Sequence, residues 1–164
     1  MATQKTCLIA ADSAEAARDL ALEHTSSGDH VFFALPTASS AADLADEFRT
    51  RDPLAASAAT DAGALALVNL AIMAHGRMDC LLVDLEVAST PVLAVDPGEA
   101  LAAHIQWPWE LLRAAAPFLR RNQGCVRLLV RGTGPLAECT TDVLATLAKA
   151  ASAEAGLSIT CSRA

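Results

Sequence analysis

The chain has 164 residues, 53% of them hydrophobic and 19% charged, with a formal net charge of −7 and a pI near 4.9. That length and apolar content suffice for one domain with a real core and exclude a disordered acidic tail. The acidic balance argues against nucleic-acid binding, which draws on basic patches, and no apolar run approaches the roughly 18–20 residues of a membrane span.

Residues 5–10 (KTCLIA) form an apolar run of strand length, and residues 13–26 read as a helix with Ala17, Leu20 and Ala21 on its inner face. Ser26-Ser27-Gly28-Asp29 is a turn signal. Residues 30–35 (HVFFAL) make a second strand stopped by Pro36, and Ser39 is expected to cap a helix reaching about residue 50. Pro53 breaks the chain, and residues 54–59 carry a weak third strand signal. Residues 60–75 predict a helix with a wide apolar face that includes Leu65, Val68 and Ile72, ended by Gly76.

Residues 79–85 (DCLLVDL) are apolar on both faces, as a central strand of a parallel sheet must be. Residues 89–103 read as irregular with one short helix. Residues 107–122 predict a helix with Pro108 in its first turn and Pro117 further along. Residues 125–131 (CVRLLVR) are a fifth strand, 140–155 a helix ended by Gly156, and 157–161 (LSITC) a sixth strand. Strands alternating with helices imply right-handed βαβ units. The expected fold is α/β: one three-layer, Rossmann-like domain over residues 1–164, with an open parallel sheet of about six strands and helices on both faces.

The N-terminal MATQKTC lacks the basic-then-apolar layout of a signal peptide, so a cytoplasmic protein is expected. The five cysteines (Cys7, Cys80, Cys125, Cys139 and Cys161) show no CxxC and no metal-ligand spacing, and read as small buried hydrophobes. His24, His30, His75 and His104 are scattered and read as structural. No metal site is expected.

The order of pieces resembles the short-chain dehydrogenase/reductase family. KTCLIAADSAEAARDLAL is similar to that family's opening strand, glycine turn and helix, and HGRMDCLLVDLE to its fourth strand. RAAAPFLRRNQGCVRLLV is similar to its long helix and fifth strand, and TTDVLATLAKAASAEAGLSITCSRA to its next helix and sixth strand. The resemblance covers nearly the whole chain as a scaffold and implies a dinucleotide-binding fold. At the functional positions the chain departs from the family. The three glycine positions of the first turn hold Ala11, Glu15 and Ala17, and Glu15 puts a carboxylate where a pyrophosphate would sit. Asp12 and Glu15 have capping-box-like spacing, which would satisfy the helix's own amides.

Strand two leads into Leu35, Pro36 and Thr37 rather than a ribose-binding acid, and the position near the adenine falls at Ala58, with Asp61 three residues on. The family's serine, lysine and asparagine positions fall at Arg131, near Thr141 and at His104. The chain contains no tyrosine, so the phenol of that family's proton transfer is missing. No cofactor and no catalytic set are therefore expected.

Two sets of residues remain. Asp84 and Glu86 fall at a strand's C-terminal end, where α/β proteins bind ligands, and with His104, at the resembling family's asparagine position, mark a candidate cleft. The two helices that form the main subunit interface in the resembling family carry Trp107, Trp109, Leu112 and Phe118, and Val143, Leu144, Leu147 and Ala151. The resemblance then implies a non-catalytic subunit that associates with itself or with an active paralogue of the family. The alternatives are a divergent NAD(P)-dependent oxidoreductase, or a small-molecule-binding regulatory module built on the cleft.

Overall fold

The computed structural model describes residues 4–48 and 63–164. Five parallel strands form one sheet in the order β2-β1-β3-β4-β5: β1 Thr6–Ala11, β2 His30–Ala34, β3 Cys80–Glu86, β4 Cys125–Arg131 and β5 Ser158–Arg163. The strand predicted at 54–59 lies outside the described residues, as do Ala58 and Asp61; the described residues hold five strands, where the sequence predicts about six for the whole chain. β1 and β3 are central, and both bury nearly every residue. Their unbroken apolar runs are what a strand covered on both faces requires.

The helices are α1 Ala14–Thr25, α2 Ala38–Glu47, α3 Gly63–His75, α4 Pro97–Leu101, α5 Trp107–Arg121 and α6 Pro135–Ala155. α1 and α2 pack on one face, where Leu20, Ala21, Ala41 and Leu44 meet Ile9, Val31, Phe33 and Leu82. α3, α5 and α6 pack on the other, bringing Leu67, Leu111, Leu119 and Leu144 against Leu8, Leu81, Val126 and Leu128. Each fully buried Leu or Phe contributes about 1.5–3 kcal/mol, so these two clusters dominate the stability. Among the described residues no helix is long and apolar enough to cross a membrane.

Several local expectations are corrected. Ser13, not Asp12, caps α1: its side chain accepts from the Ala16 amide at 3.3 Å. Thr37, not Ser39, caps α2 in the same way. α6 begins at Pro135, five residues before the predicted start, because Pro135 pre-sets the helical φ at the first position. Leu65 is 61% exposed and lies off the buried stripe of α3, which runs through Ala64, Leu67, Val68 and Ala71. Leu112 and Leu144 are buried within this chain and are not available to a partner. Gly76 does end α3, with φ +69°.

Side chains alternate along β4 and β5. Val126, Leu128, Val130, Ile159 and Cys161 face α5 and α6. By the two-residue period, Arg127, Arg131, Ser158, Thr160 and Ser162 face the opposite way. Beside Cys125 and Leu129, that half of the sheet face is polar, and its arginines are paired: Arg127 holds Glu23 at 3.0 Å, and Arg131 holds Asp84.

Candidate functional site

Chain direction diverges between β1 and β3, so the crevice beyond their C-terminal ends is the ligand position of an open α/β sheet. Two lobes open there and share Asp12. The first, about 720 Å3, lies between the end of β1, the first turn of α1 and the segments after β3 and β4. Its polar lining includes Asp12, Ser13, Glu15, Glu86, Arg131 and Thr133. The second, about 730 Å3, lies between α3 and the segment around His104 and Trp107, with Glu99, Gln106 and Glu110 on its walls.

At the first lobe the departures from a phosphate-binding turn become physical. Ala11 and Ala17 are buried where strand meets helix, so their methyl groups occupy space that glycines would leave open. Glu15 is exposed in the first turn of α1. Asp12 reaches across the crevice: its Oδ2 accepts from the Glu86 amide at 2.7 Å, and its own amide donates to the Asp84 carbonyl at 3.2 Å. The end of β1 is thereby tied to the end of β3. Burial holds the Asp12 carboxyl above the ordinary range, and the nearby Glu86 adds to this, while the Glu86 amide and His104 pull it down.

That shift carries a sign. A carboxyl raised in the folded state contributes stability that is complete below its unfolded value and is lost as pH rises through the folded value. Asp12→Asn keeps an acceptor for the Glu86 amide and removes the charge. The variant is expected to be more stable than the parent near neutral pH, by no more than about 1 kcal/mol after solvent screening. The two should converge at acid pH, as urea midpoints taken across the pH range would show.

Asp84 does not line the crevice. It is 1% exposed, and both its carboxylate oxygens accept from Arg131 Nε at 2.9 Å. Burial raises its carboxyl, and the Arg131 guanidinium opposes that rise. The predicted pairing of Asp84 with Glu86 is therefore replaced by one acid in a buried ion pair and one exposed at the rim. His104 does line the second lobe, within a π-helical turn (Ala102–Gln106) between α4 and α5. Such turns widen a helix and recur at functional positions. Trp107, expected at an interface, also lines this lobe. His104 Nδ1 and Trp107 Nε1 are buried without a hydrogen-bond partner among the described residues.

Two site residues escaped the sequence reading. Asp12 looked like a helix cap, and only the β1–β3 pairing shows it spanning the crevice. Arg131 stood merely at an aligned serine position. Its sequence signal was the alternation of β4, which places an Arg on the face opposite Val130.

On the outer side of α5 and α6, Trp109, Ala116, Arg120, Ala151, Leu157 and Ile159 border a groove of about 190 Å3. Arg120 Nε spans it to the Ala155 carbonyl at 2.9 Å. Of the other predicted interface residues, Phe118 and Leu147 are half-buried and Val143 is 39% exposed.

No protein-family model matches the chain, and no curated protein matches it in sequence. Its fold is that of solved short-chain dehydrogenase/reductase structures. A SCOR enzyme from Clostridium thermocellum superposes with a TM-score of 0.80 at 17% identity, over 98% of this chain and 71% of that one. L-sorbose reductase from Gluconobacter frateurii, solved with NADPH and L-sorbose, gives 0.78 at 16% identity, over 99% and 69%. A 3-ketoacyl-ACP reductase from Sinorhizobium meliloti gives 0.75 at 17% identity, over 96% and 70%. At these identities the likeness establishes the fold.

Proposed function

We propose that this chain is a non-catalytic protein on a dehydrogenase scaffold, one that binds no NAD(P) and works by association with a second subunit of the same fold. The observation that carries the reading is the Asp12 clamp. A carboxylate lies across the crevice where a pyrophosphate would pass, with Glu15 and Glu86 beside it. A dinucleotide there would meet three carboxylates, while Arg131, the arginine among the described lining residues, is already bonded to Asp84. The absence of any tyrosine removes the proton donor that the resembling family uses.

The association surface in this reading is the outer side of α5 and α6, with Trp109 as the aromatic anchor over an apolar groove. The partner is a second copy of this chain or a tyrosine-containing paralogue, presenting the same two helices about a twofold axis. Light scattering on the eluted protein is expected to give a dimer or larger, and Trp109→Glu should shift it to monomer. Titration with NADH or NADPH, followed by the fluorescence of Trp107 in the crevice, is expected to show no saturation. Saturable micromolar binding would overturn the loss of the cofactor, and a stable monomer that captures no paralogue would overturn the association.

One observation favours a second reading, a small-molecule module in the lobe around His104. Buried Trp107 Nε1 and His104 Nδ1 lack partners there among the described residues, and Asp12, Glu99 and Glu110 share the walls. A ligand with an acceptor for the indole and a positive group for the acids fits that lining.

A further inference from the structure

The opposite edge of the sheet carries a different kind of cluster. Cys7, Cys80 and Cys125 stand in one row across β1, β3 and β4, each in register with the next. They are separated by 73 and 45 positions in the chain, and only the parallel sheet aligns them. Ile9, Leu82 and Leu129, which pack against α1 and α2, lie an even number of residues further along the same strands, so all three thiols face α1. Cys80 Sγ lies 3.3 Å from Cys125 Sγ.

The last turn of α1 brings His24 over this row, and the following turn brings Asp29. His24 Nδ1 is 3.4 Å from Cys7 Sγ and 3.2 Å from Asp29 Oδ2. The donor atoms of Cys7, His24 and Asp29 all lie within 4.8 Å of one another. Cys7 is fully buried, and the His24 and Asp29 side chains are 15% and 10% exposed. The Lys5 amide donates to Asp29 Oδ1 at 3.1 Å, which turns Oδ2 toward His24. A cleft of about 440 Å3, bordered by Gln4, Lys5, Glu23 and Ser27, reaches His24 and Asp29 from solvent.

A cysteine–histidine–carboxylate relay would use both imidazole nitrogens, with sulfur on one and carboxylate on the other. Here the thiol and the carboxylate converge on the same nitrogen, as ligands converge on an ion. A tetrahedron with metal–sulfur bonds of about 2.3 Å and metal–nitrogen or –oxygen bonds of about 2.0–2.1 Å has S···N edges of about 3.5 Å and N···O edges of about 3.3 Å. The two separations at His24 match those edges. We propose that Cys7, His24 and Asp29 form a three-ligand binding site for a borderline-soft divalent cation of the Zn2+ type, with the fourth position left to solvent from the cleft.

The donor set of a thiolate, an imidazole and a carboxylate selects such an ion over Mg2+ or Ca2+, which take oxygen. Binding requires the Cys7 thiol to release its proton to solvent, so affinity rises with pH. Because the site ties β1, the end of α1 and the α1–β2 turn together, the bound ion also stabilises the fold. It lies at the far end of the strands from the crevice, so it stands or falls independently of the association proposed above.

The test is Co2+ titration of the reduced, full-length protein, with Co2+ standing in for Zn2+. One equivalent should produce a thiolate-to-cobalt charge-transfer band together with the visible bands of a tetrahedral ion, and Zn2+ should displace it. His24→Ala should weaken binding by about 100-fold or more, as loss of a direct ligand exceeds the 10–100-fold cost of second-shell changes. Cys7→Ser should abolish the charge-transfer band, since it removes the one thiolate of the donor set. Cys139→Ser, on the exposed side of α6, should change nothing. If Cys7→Ser fails to fold, His24→Ala carries the test, since its ring is partly exposed and its folding is checked by circular dichroism without metal. No charge-transfer band in the parent, or an undiminished band in His24→Ala, overturns the site. A band that survives Cys7→Ser overturns the thiolate ligand.

Discussion

Gly132→Ala is expected to cost the fold about 3 kcal/mol or more, read as a fall in the urea midpoint at unchanged slope. Gly132 follows β4 with φ +130°, a region that side-chain-bearing residues rarely adopt. A Cβ there would also collide with the Val87 carbonyl oxygen, a backbone atom with little freedom to move. Its neighbourhood is held from both sides. The Val87 amide donates to the Arg131 carbonyl at 2.9 Å, and the Gly132 carbonyl accepts from Arg163 Nε and Nη2 at 3.3 and 3.2 Å. Both walls of the first lobe would shift together.

Gly28→Ala separates the two contributions. Gly28 also has positive φ, at +81°, but nothing lies within 4 Å of its missing Cβ. Only the backbone term remains there, about 1–2 kcal/mol. If the two alanine variants lose equal stability, the close approach of Val87 to Gly132 is wrong.

Arg131→Met is the second large effect, about 3 kcal/mol near pH 7, toward the lower end of what breaking a buried ion pair costs because the guanidinium is itself 35% exposed. Asp84 is buried and takes both of its close side-chain hydrogen bonds from that arginine. Without them its carboxylate has no counter-charge. The carboxyl already sits above its ordinary value through burial, and loss of the guanidinium raises it further. A raised carboxyl contributes most below its unfolded value and loses that contribution as pH climbs through its folded value. The deficit of Arg131→Met is therefore largest at neutral pH and shrinks toward about pH 4. Arg131→Met combined with Asp84→Leu should return most of the stability, because two apolar groups replace a buried pair at little net cost. Arg127→Met is the contrast: its partner Glu23 is 57% exposed, and an open pair of this kind is worth less than about 1 kcal/mol. A Arg131→Met variant as mild as Arg127→Met would show that Asp84 is not held as described.

The scaffold was legible because its signals are local. The run CLLVDL is apolar at every position but one, and only a strand covered on both faces tolerates that, so its central place followed from the residues alone. Capping was less legible. Asp12, Ser13 and Ser39 all carry acceptors near helix starts, and the backbone's approach angle decides which oxygen meets the free amides. Asp84 and Glu86 looked equivalent, two residues apart at a strand end. β3 buries one beside Arg131 and leaves the other in solvent, and that difference depends on a neighbouring strand 47 residues away.

Composition and periodicity by themselves determined the class of fold, the alternation of strand and helix, the buried faces of the central strands and the absence of a tyrosine anywhere in the chain. Each of those follows from residue type and short-range spacing, which act along the chain. The tertiary structure alone decided that Asp12 bridges β1 to β3, that Arg131 neutralises Asp84, and that three cysteines far apart in sequence share one row beside His24. These are contacts between strands, set by parallel register and by which face each side chain takes. A one-residue slip in that register would undo them without altering any local signal.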